Sequence, residues 1–273
     1  MGKRIAKKHA MSRNAVIFLA WGDHYIQEVA QCLARSDLSS YDKFLITEEE
    51  FGEAQLEEVS VISAKFKTEG FIRKSEMINY IPEGYDSYLF LDSDTVVLGD
   101  ISLGFEKAKQ YGIALSPEPH YCLDRYFNFG KILKKESIKC AGQLHYNTGV
   151  IFFRLDHKVK EVFQKWHLFA GKYFPNFNND QPYFTMALEH CFFNPYTLSI
   201  NYNYRGTGEH ISGDVRIWHS HYPMPKQIND EKDLWPMRSV YHGCLKIPPR
   251  RNYWVEWNHN ISYWLKCLLA KFR

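Results

Sequence analysis

Short apolar runs alternate with amphipathic segments over residues 14–92, and this alternation constrains the fold more than any other feature of the sequence. A helix is expected to begin at Gly22-Asp23, and a second helical segment at residues 71–81 ends at Pro82-Glu83-Gly84. The apolar runs have the length of buried strands and lie at residues 14–20, 44–47, 59–64 and 88–92. Strands that alternate with helices predict an α/β fold with a mostly parallel central sheet flanked by helices.

The rest of the chain continues this pattern less regularly. The stretch 117–143 is rich in turn-forming residues, and no element is assigned to it. Strands are predicted at 113–115, 146–155 and 215–219, and helices at 104–111, at 158–170 and from the loop at 175–180 through Leu188. The sequence contains no internal repeat and no convincing linker, so a single folded domain is expected.

A pair of carboxylates follows one of these apolar runs directly. In the segment YLFLDSDTVVLGD (88–100), Asp92 and Asp94 come after the run at 88–91 and are separated by one small polar residue. Ligands of open α/β sheets bind beyond the carboxyl ends of strands, and two hard oxygen ligands this close suit Mg²⁺ or Mn²⁺. Taken alone, the segment also fits a solvated turn, or a haloacid-dehalogenase-type phosphatase with Asp92 as nucleophile.

Cysteine usage and charge bear on where such a chain would act. The six cysteines are scattered without a C-x-x-C pair, which favours a reducing compartment over a zinc module or a disulfide framework. The net charge is only +3, yet residues 1–13 carry five Lys/Arg and no acid. No run has the length of a transmembrane helix. The expected location is cytoplasmic, with peripheral contact at the inner face of a membrane left open, and no nucleic acid is expected as a partner.

Residues 254–273 combine aromatic and aliphatic side chains at helical spacing with basic residues near the end. This pattern is typical either of a terminal helix packed on the core or of a peripheral membrane anchor. In the second case, the basic ends of the chain would face an anionic membrane surface.

Four segments occur in the order typical of one known family: the first strand with its glycine turn, the Asp-x-Asp strand, YNTGV (146–150) and NNDQPYF (178–184). Together they resemble the GT-A glycosyltransferases, especially retaining enzymes of glycosyltransferase family 8 and related nucleotide-diphospho-sugar transferases. The resemblance implies a GT-A catalytic domain at 14–226, after a basic tail at 1–13 and before an extension at 227–273. It also implies metal-dependent transfer of a hexose from a nucleotide diphosphate sugar, expected to be UDP-linked, to a carbohydrate or glycolipid acceptor with retention.

The same resemblance implies roles for individual residues. Mn²⁺ or Mg²⁺ would be held by Asp92, Asp94 and a late histidine, for which His219 is preferred over His221. Asp180 and Gln181 would form the catalytic pair beside the anomeric carbon. The donor would be bound at the base, phosphates, ribose and sugar by Ala20, Tyr25, Lys74, Ser93 and Asn147. A further phosphate contact by Lys226 stays open, because the spacing from histidine to lysine departs from the pattern of the family.

Several of these residues also fit purely structural roles. Tyr25 fits a core position on a helix, Asn147 fits a turn before a strand, and Asp180 fits the N-cap of the helix that follows it. A sugar-nucleotide-binding scaffold without turnover remains an alternative function. The phosphatase alternative is disfavoured, because the chain lacks the later acidic pair that such a site needs.

Overall fold

The computed structural model describes residues 13–48, 56, 58–125, 129–139, 144–173, 179–205, 211 and 213–220. Residues 1–12 of the basic tail, His221, Lys226 and the segment 254–273 lie outside these ranges. The expectations for them therefore stay predictions, as do the domain boundaries.

The described residues form nine strands and six helices. The strands are β1 (Asn14–Leu19), β2 (Asp42–Glu48), β3 (Ser60–Ala64), β4 (Ser87–Leu91), β5 (Thr95–Val97), β6 (Ile113–Cys122), β7 (Leu144–Phe153), β8 (Tyr196–Thr197) and β9 (Ile217–His219). The helices are α1 (Gly22–Arg35), α2 (Arg73–Glu76), α3 (Ser102–Tyr111), α4 (Phe129–Lys135), α5 (His157–Tyr173) and α6 (Gln181–His190).

A seven-stranded sheet in the order β3-β2-β1-β4-β7-β6-β8 forms the centre of the fold. Strands β3, β2, β1 and β4 are parallel neighbours, and β7 runs antiparallel to both β4 and β6. Because Leu91 at the end of β4 pairs with Val150, the first part of β7, residues 144–149, extends beyond the carboxyl end of β4. A separate antiparallel pair, β5 with β9, sets Thr95 opposite His219. The predicted α/β fold with a mostly parallel sheet is confirmed.

Apolar side chains cover both faces of the sheet, because successive residues of a strand point to opposite sides. In β1, Ala15 and Ile17 pack on the face covered by α5 and α6. Val16 and Phe18 pack on the other face, against α1 and α3. All four side chains are fully buried. Burial of Val16, Ile17 and Phe18 contributes about 1.5–3 kcal/mol each to folding. Burial on both sides explains why this strand is an uninterrupted apolar run in the sequence.

Two stretches differ from their predicted structure. Within the turn-rich stretch 117–143, β6 continues to Cys122, and α4 forms because Phe129 and Leu133 are buried in the core. The predicted helix at 71–81 is instead a succession of short helical turns with only α2 as α-helix. Its residue Glu76 accepts hydrogen bonds from the backbone N–H groups of residues 67 and 68, so tertiary contacts rather than helical periodicity decide this segment. No helix within the described ranges is long and apolar enough to cross a membrane.

Candidate active site

A cavity of about 490 Å³ opens at the carboxyl ends of β1 and β4. Its lining includes the residues after β4, the first part of β7 and the N-terminus of α6. The backbone N–H of Asp92 donates to the Gly149 carbonyl at 2.8 Å, which joins the first two directly. The cavity therefore lies where open α/β sheets bind their ligands.

Asp92, Asp94 and His219 form a cluster at the floor of this cavity. One ligand atom from each residue lies within 4.8 Å of the others. The Nε2 atom of His219 is 3.3 Å from Asp94 Oδ1 and 3.7 Å from Asp92 Oδ2. Two carboxylate oxygens and one imidazole nitrogen are a donor set that suits Mn²⁺, and carboxylates suit Mg²⁺.

Gly149 leaves the space in which this cluster assembles. A methyl group on its α-carbon would lie 2.7 Å from both Asp92 Oδ2 and His219 Nε2, and closer still to His219 Cε1. Ordinary contacts of this kind are 3.4–4 Å long, so only glycine leaves the carboxylate and the imidazole undisturbed. The residues present thus fit a divalent cation in both chemistry and space.

Lys74 is a buried cation between the two acidic parts of the site. Its Nζ atom lies 2.7 and 2.8 Å from the two carboxylate oxygens of Asp92 and 4.0 Å from Asp180 Oδ2. Burial by itself lowers the pKa of Lys74, but Asp180 and Asp92 outweigh it, so the net pKa is raised and the ammonium keeps its charge. Burial raises the pKa of Asp92, against the opposing effect of Lys74 and His219.

The Asp180 carboxylate faces the cavity rather than the helix end. Asp180 occupies the N-cap position of α6, but its side chain makes no capping hydrogen bond. Asn179 Oδ1 instead accepts the Gln181 N–H at 3.0 Å, and Asp180 Oδ2 accepts from the Thr148 hydroxyl at 2.7 Å. The Gln181 side chain also lines the cavity, and its buried Oε1 atom has no hydrogen-bond partner among the described residues. The predicted N-cap position of Asp180 is therefore confirmed, but its side chain does not provide the expected capping hydrogen bond.

Asn147 is buried at the start of β7 and makes three hydrogen bonds. Its Oδ1 atom accepts from the Gly149 N–H at 2.9 Å and from Asn203 Nδ2 at 2.9 Å. Its Nδ2 atom donates to Glu118 Oε2 at 3.3 Å. Asn147 also lines the cavity, so a structural role and a ligand contact are compatible.

Of the remaining residues proposed for donor binding, Tyr25 and Ser93 line the cavity, whereas Ala20 does not. Tyr25 lines it, with its ring 5.2 Å from that of Trp21. The Ser93 hydroxyl, also on the cavity wall, donates to Glu28 Oε2 at 2.6 Å. Ala20 is fully buried and packs in the core on the α1 side, while its N–H donates to the Ile46 carbonyl at 3.2 Å.

The sequence patterns did not single out several residues of this site. Trp21 and Phe71 line the cavity, their rings 6.2 Å apart, and Arg205 lines it and pairs with buried Glu118 at 2.9 Å. Asn203 connects Asn147 to His219 without lining the cavity. Of these, only Trp21 could have been identified from the sequence, since it directly follows the apolar run at 14–20 and precedes Gly22. The others are brought in by pairings distant along the chain.

No protein-family model matches the chain, and no curated protein gives a significant match. Solved structures match in fold. An active-site mutant of LgtC superposes with a TM-score of 0.53 at 12% identity, over 88% of this chain and 98% of that one. Mouse xyloside xylosyltransferase 1 superposes with a TM-score of 0.52 at 16% identity, over 78% of this chain and 100% of that one. Apo GlyE, a glycosyltransferase of Streptococcus pneumoniae, superposes with a TM-score of 0.51 at 18% identity, over 92% of this chain and 64% of that one.

At these identities the likenesses show the fold. The chain has the GT-A fold of these glycosyltransferases, as the sequence predicted. The narrower assignment to family 8 stays a prediction. The phosphatase alternative is not supported, because the fold is one found in sugar transferases.

Proposed function

We propose that this chain is a metal-dependent glycosyltransferase that moves a hexose from a nucleotide diphosphate sugar to a carbohydrate or glycolipid acceptor. One observation carries the proposal. On a GT-A fold, a single cavity gathers the Asp92, Asp94 and His219 cluster with Lys74 and Asp180. A cation site beside a buried ammonium suits a diphosphate, and a neighbouring carboxylate suits sugar hydroxyls.

Asp92, Asp94 and His219 would hold the cation, which we take to be Mn²⁺ or Mg²⁺. Such an ion neutralises the diphosphate and makes the nucleoside diphosphate a better leaving group. Lys74 adds a fixed positive charge on the same side of the cavity. Because it is buried and already oriented by Asp92, it can stabilise developing negative charge without first being desolvated or reoriented.

In the reaction, the bond between the anomeric carbon and the β-phosphate oxygen breaks. The acceptor oxygen forms the new bond to that carbon, and its proton leaves with the nucleoside diphosphate. Asp180, oriented by Thr148, would accept hydrogen bonds from sugar hydroxyls. The carbonyl oxygen of Gln181, which has no hydrogen-bond partner in the part of the chain that the structure describes, would face the positive charge that develops at the anomeric carbon. We propose retention on the resemblance of the motifs.

The aromatic rings at the cavity mouth support a nucleotide donor. Trp21, Tyr25 and Phe71 line the cavity side by side, and the Arg73 guanidinium lies 5.3 Å from the centre of the Trp21 ring. Stacking of one base on an aromatic side chain contributes about 1–3 kcal/mol. We therefore propose that this wall binds the base, with uracil as the expected one and Tyr25 as the stacking residue.

Donor turnover and its metal dependence test the proposal. Purified chain should hydrolyse a UDP-hexose slowly when Mn²⁺ is present and lose this activity on chelation. Asp94→Ala should abolish the activity, whereas Asp37→Ala, which removes an exposed carboxylate outside the cavity, should keep it. Donor binding without turnover across a panel of nucleotide sugars would favour the scaffold alternative. Turnover that persists at full rate in chelator would refute the metal assignment.

A further inference from the structure

A line of buried amide side chains connects the start of β7 with the cation cluster. His219 Nδ1 lies 2.7 Å from Asn203 Oδ1, and Asn203 Nδ2 lies 2.9 Å from Asn147 Oδ1. Asn147 Oδ1 in turn lies 2.9 Å from the backbone nitrogen of Gly149. The three side chains are at most 7% exposed, so water does not compete freely for these hydrogen bonds.

The backbone group at one end sets the direction of every bond in this line. A backbone N–H can only donate, so the Asn147 atom facing Gly149 must be the carbonyl oxygen. The same oxygen faces Asn203, which must therefore present its NH₂ group. Asn203 is left with its carbonyl oxygen toward His219, and the His219 nitrogen that meets it must carry a proton.

Hydrogen bonding at Asn147 Nδ2 agrees with this direction. Nδ2 lies 3.3 Å from the Glu118 carboxylate, which accepts and does not donate when ionised. Arg205 Nη1 holds the same Glu118 oxygen at 2.9 Å. The contacts of Asn147 with Gly149 and with Glu118 thus require the same orientation of its amide, which removes the usual ambiguity between amide oxygen and nitrogen.

We propose that Asn203 is a positioning residue that keeps the His219 proton on Nδ1 and thereby presents Nε2 to the cation as an unprotonated ligand. The proposal rests on the metal site of the proposed function and adds a residue that determines its protonation geometry. Metal-bound histidines commonly donate their second ring N–H in this way, which fixes the tautomer and the ring orientation.

The need for such a residue follows from the surroundings of His219. Nε2 lies 3.3 Å from Asp94 Oδ1 and 3.7 Å from Asp92 Oδ2. Without an acceptor at Nδ1, these carboxylates would draw the single proton of a neutral imidazole to Nε2. The protonated nitrogen would then point at the cation site and offer no lone pair. Asn203 opposes this, because moving the proton would leave its buried carbonyl oxygen unsatisfied.

The same line ties the cation site to the sugar side of the cavity. Asn147 is the proposed sugar contact, and it orients Asn203 through the carbonyl oxygen that Gly149 also holds. A ligand that displaces Asn147 would disturb Asn203 and with it His219. Binding of the sugar and binding of the cation are therefore expected to be coupled through this line.

Two substitutions at Asn203 test whether this residue acts as the hydrogen-bond acceptor of His219 or only fills space beside it. Asn203→Ala removes the acceptor, whereas Asn203→Asp keeps an oxygen toward His219 and replaces the donor to Asn147 with a second, negatively charged oxygen. Asn201→Ala is the matched control, because Asn201 is buried in the same short helical turn and bonds the Asp214 carbonyl instead. The readouts are Mn²⁺ affinity by electron paramagnetic resonance, and long-range proton–nitrogen NMR of the metal-free protein in alkaline buffer.

We expect wild type, Asn203→Asp and Asn201→Ala to carry the His219 proton on Nδ1 and to bind Mn²⁺ within a few-fold of one another. Asn203→Ala should carry the proton on Nε2 and bind Mn²⁺ about 10- to 100-fold more weakly. Equal losses in Asn203→Ala and Asn203→Asp would overturn the proposal. So would a proton on Nε2 in wild type, which decides the matter even if a variant fails to fold. If wild type bound no divalent cation, the proposed metal site would fail, while the NMR result would still decide the role of Asn203.

Discussion

The substitution Gly149→Ala tests the geometry of the cation cluster most directly. The added methyl group would lie 2.7 Å from both Asp92 Oδ2 and His219 Nε2, where an ordinary contact needs at least 3.4 Å. Each atom would have to retreat by about 0.7 Å. Metal–ligand distances tolerate only about 0.2 Å, so the relaxed variant no longer presents these two ligands correctly.

The expected loss of Mn²⁺ affinity follows from the free energy needed to bring the displaced Asp92 and His219 atoms back to the cation. His219 is held by Asn203 at its ring and by its N–H bond to the Tyr204 carbonyl at 2.9 Å, so it has little freedom to retreat. Overpacking a tight site costs about 1–3 kcal/mol. Metal binding would reimpose this strain, and at 1.4 kcal/mol per decade the Mn²⁺ affinity should fall by about 5- to 150-fold.

Titration of Mn²⁺ into the metal-free protein measures this loss, and thermal unfolding confirms that the variant is folded. Gly171→Ala is the matched control, because a methyl group at Gly171 in α5 would meet no heavy atom of the described residues within 4 Å. Alanine there should stabilise the helix by up to about 1 kcal/mol and leave Mn²⁺ binding unchanged. Wild-type Mn²⁺ affinity in folded Gly149→Ala would refute the reasoning, since His219 and Asp92 could not then both be ligands.

Two further predictions concern stability. Lys74→Met should lower the free energy of unfolding of the metal-free protein by about 3 kcal/mol, because it leaves the carboxylates of Asp92 and Asp180 without their buried cation. Mn²⁺ should recover part of this loss in urea unfolding, and a variant as stable as wild type would contradict the expectation. The second prediction concerns His145, because burial lowers the pKa of its imidazole from 6.5 to about 4. As the pH falls, His145 of the unfolded chain therefore binds a proton near pH 6.5, whereas His145 of the folded chain does not bind one until about pH 4. Stability should fall by about 3 kcal/mol as the pH drops through this window, and His145→Gln should flatten that slope. Equal slopes in urea unfolding across the window would disprove the assignment.

Local patterns predicted the parts of the fold that depend on nearest neighbours along the chain. The apolar runs before Asp92 and before Trp21 predict strands, and both strands are buried on two faces of the sheet. Turn-forming residues do not predict the local structure correctly where packing against a distant part of the chain determines it. The residues that form α4 carry turn signals nearby, yet Phe129 packs on Tyr183 of α6 and draws the segment into a helix.

The candidate site shows the same division. Asp92 and Asp94 are recognisable because one strand delivers both to its carboxyl end, and Asp180 is recognisable from its helix start. The role of Asn203 could not be predicted from the sequence, since its partners Asn147 and His219 lie 56 and 16 residues away along the chain.

Local sequence patterns were enough to establish the strand and helix periodicity, and with it an α/β sheet that ends in two carboxylates, because alternating burial and strand ends are short-range properties of the chain. Long-range strand pairing, in contrast, makes β7 return antiparallel to β4, which brings Gly149 against Asp92 and leaves just enough room for His219. The proton position on His219 also depends on long-range contacts, because it follows from hydrogen-bond directions that pass through four residues from three distant segments.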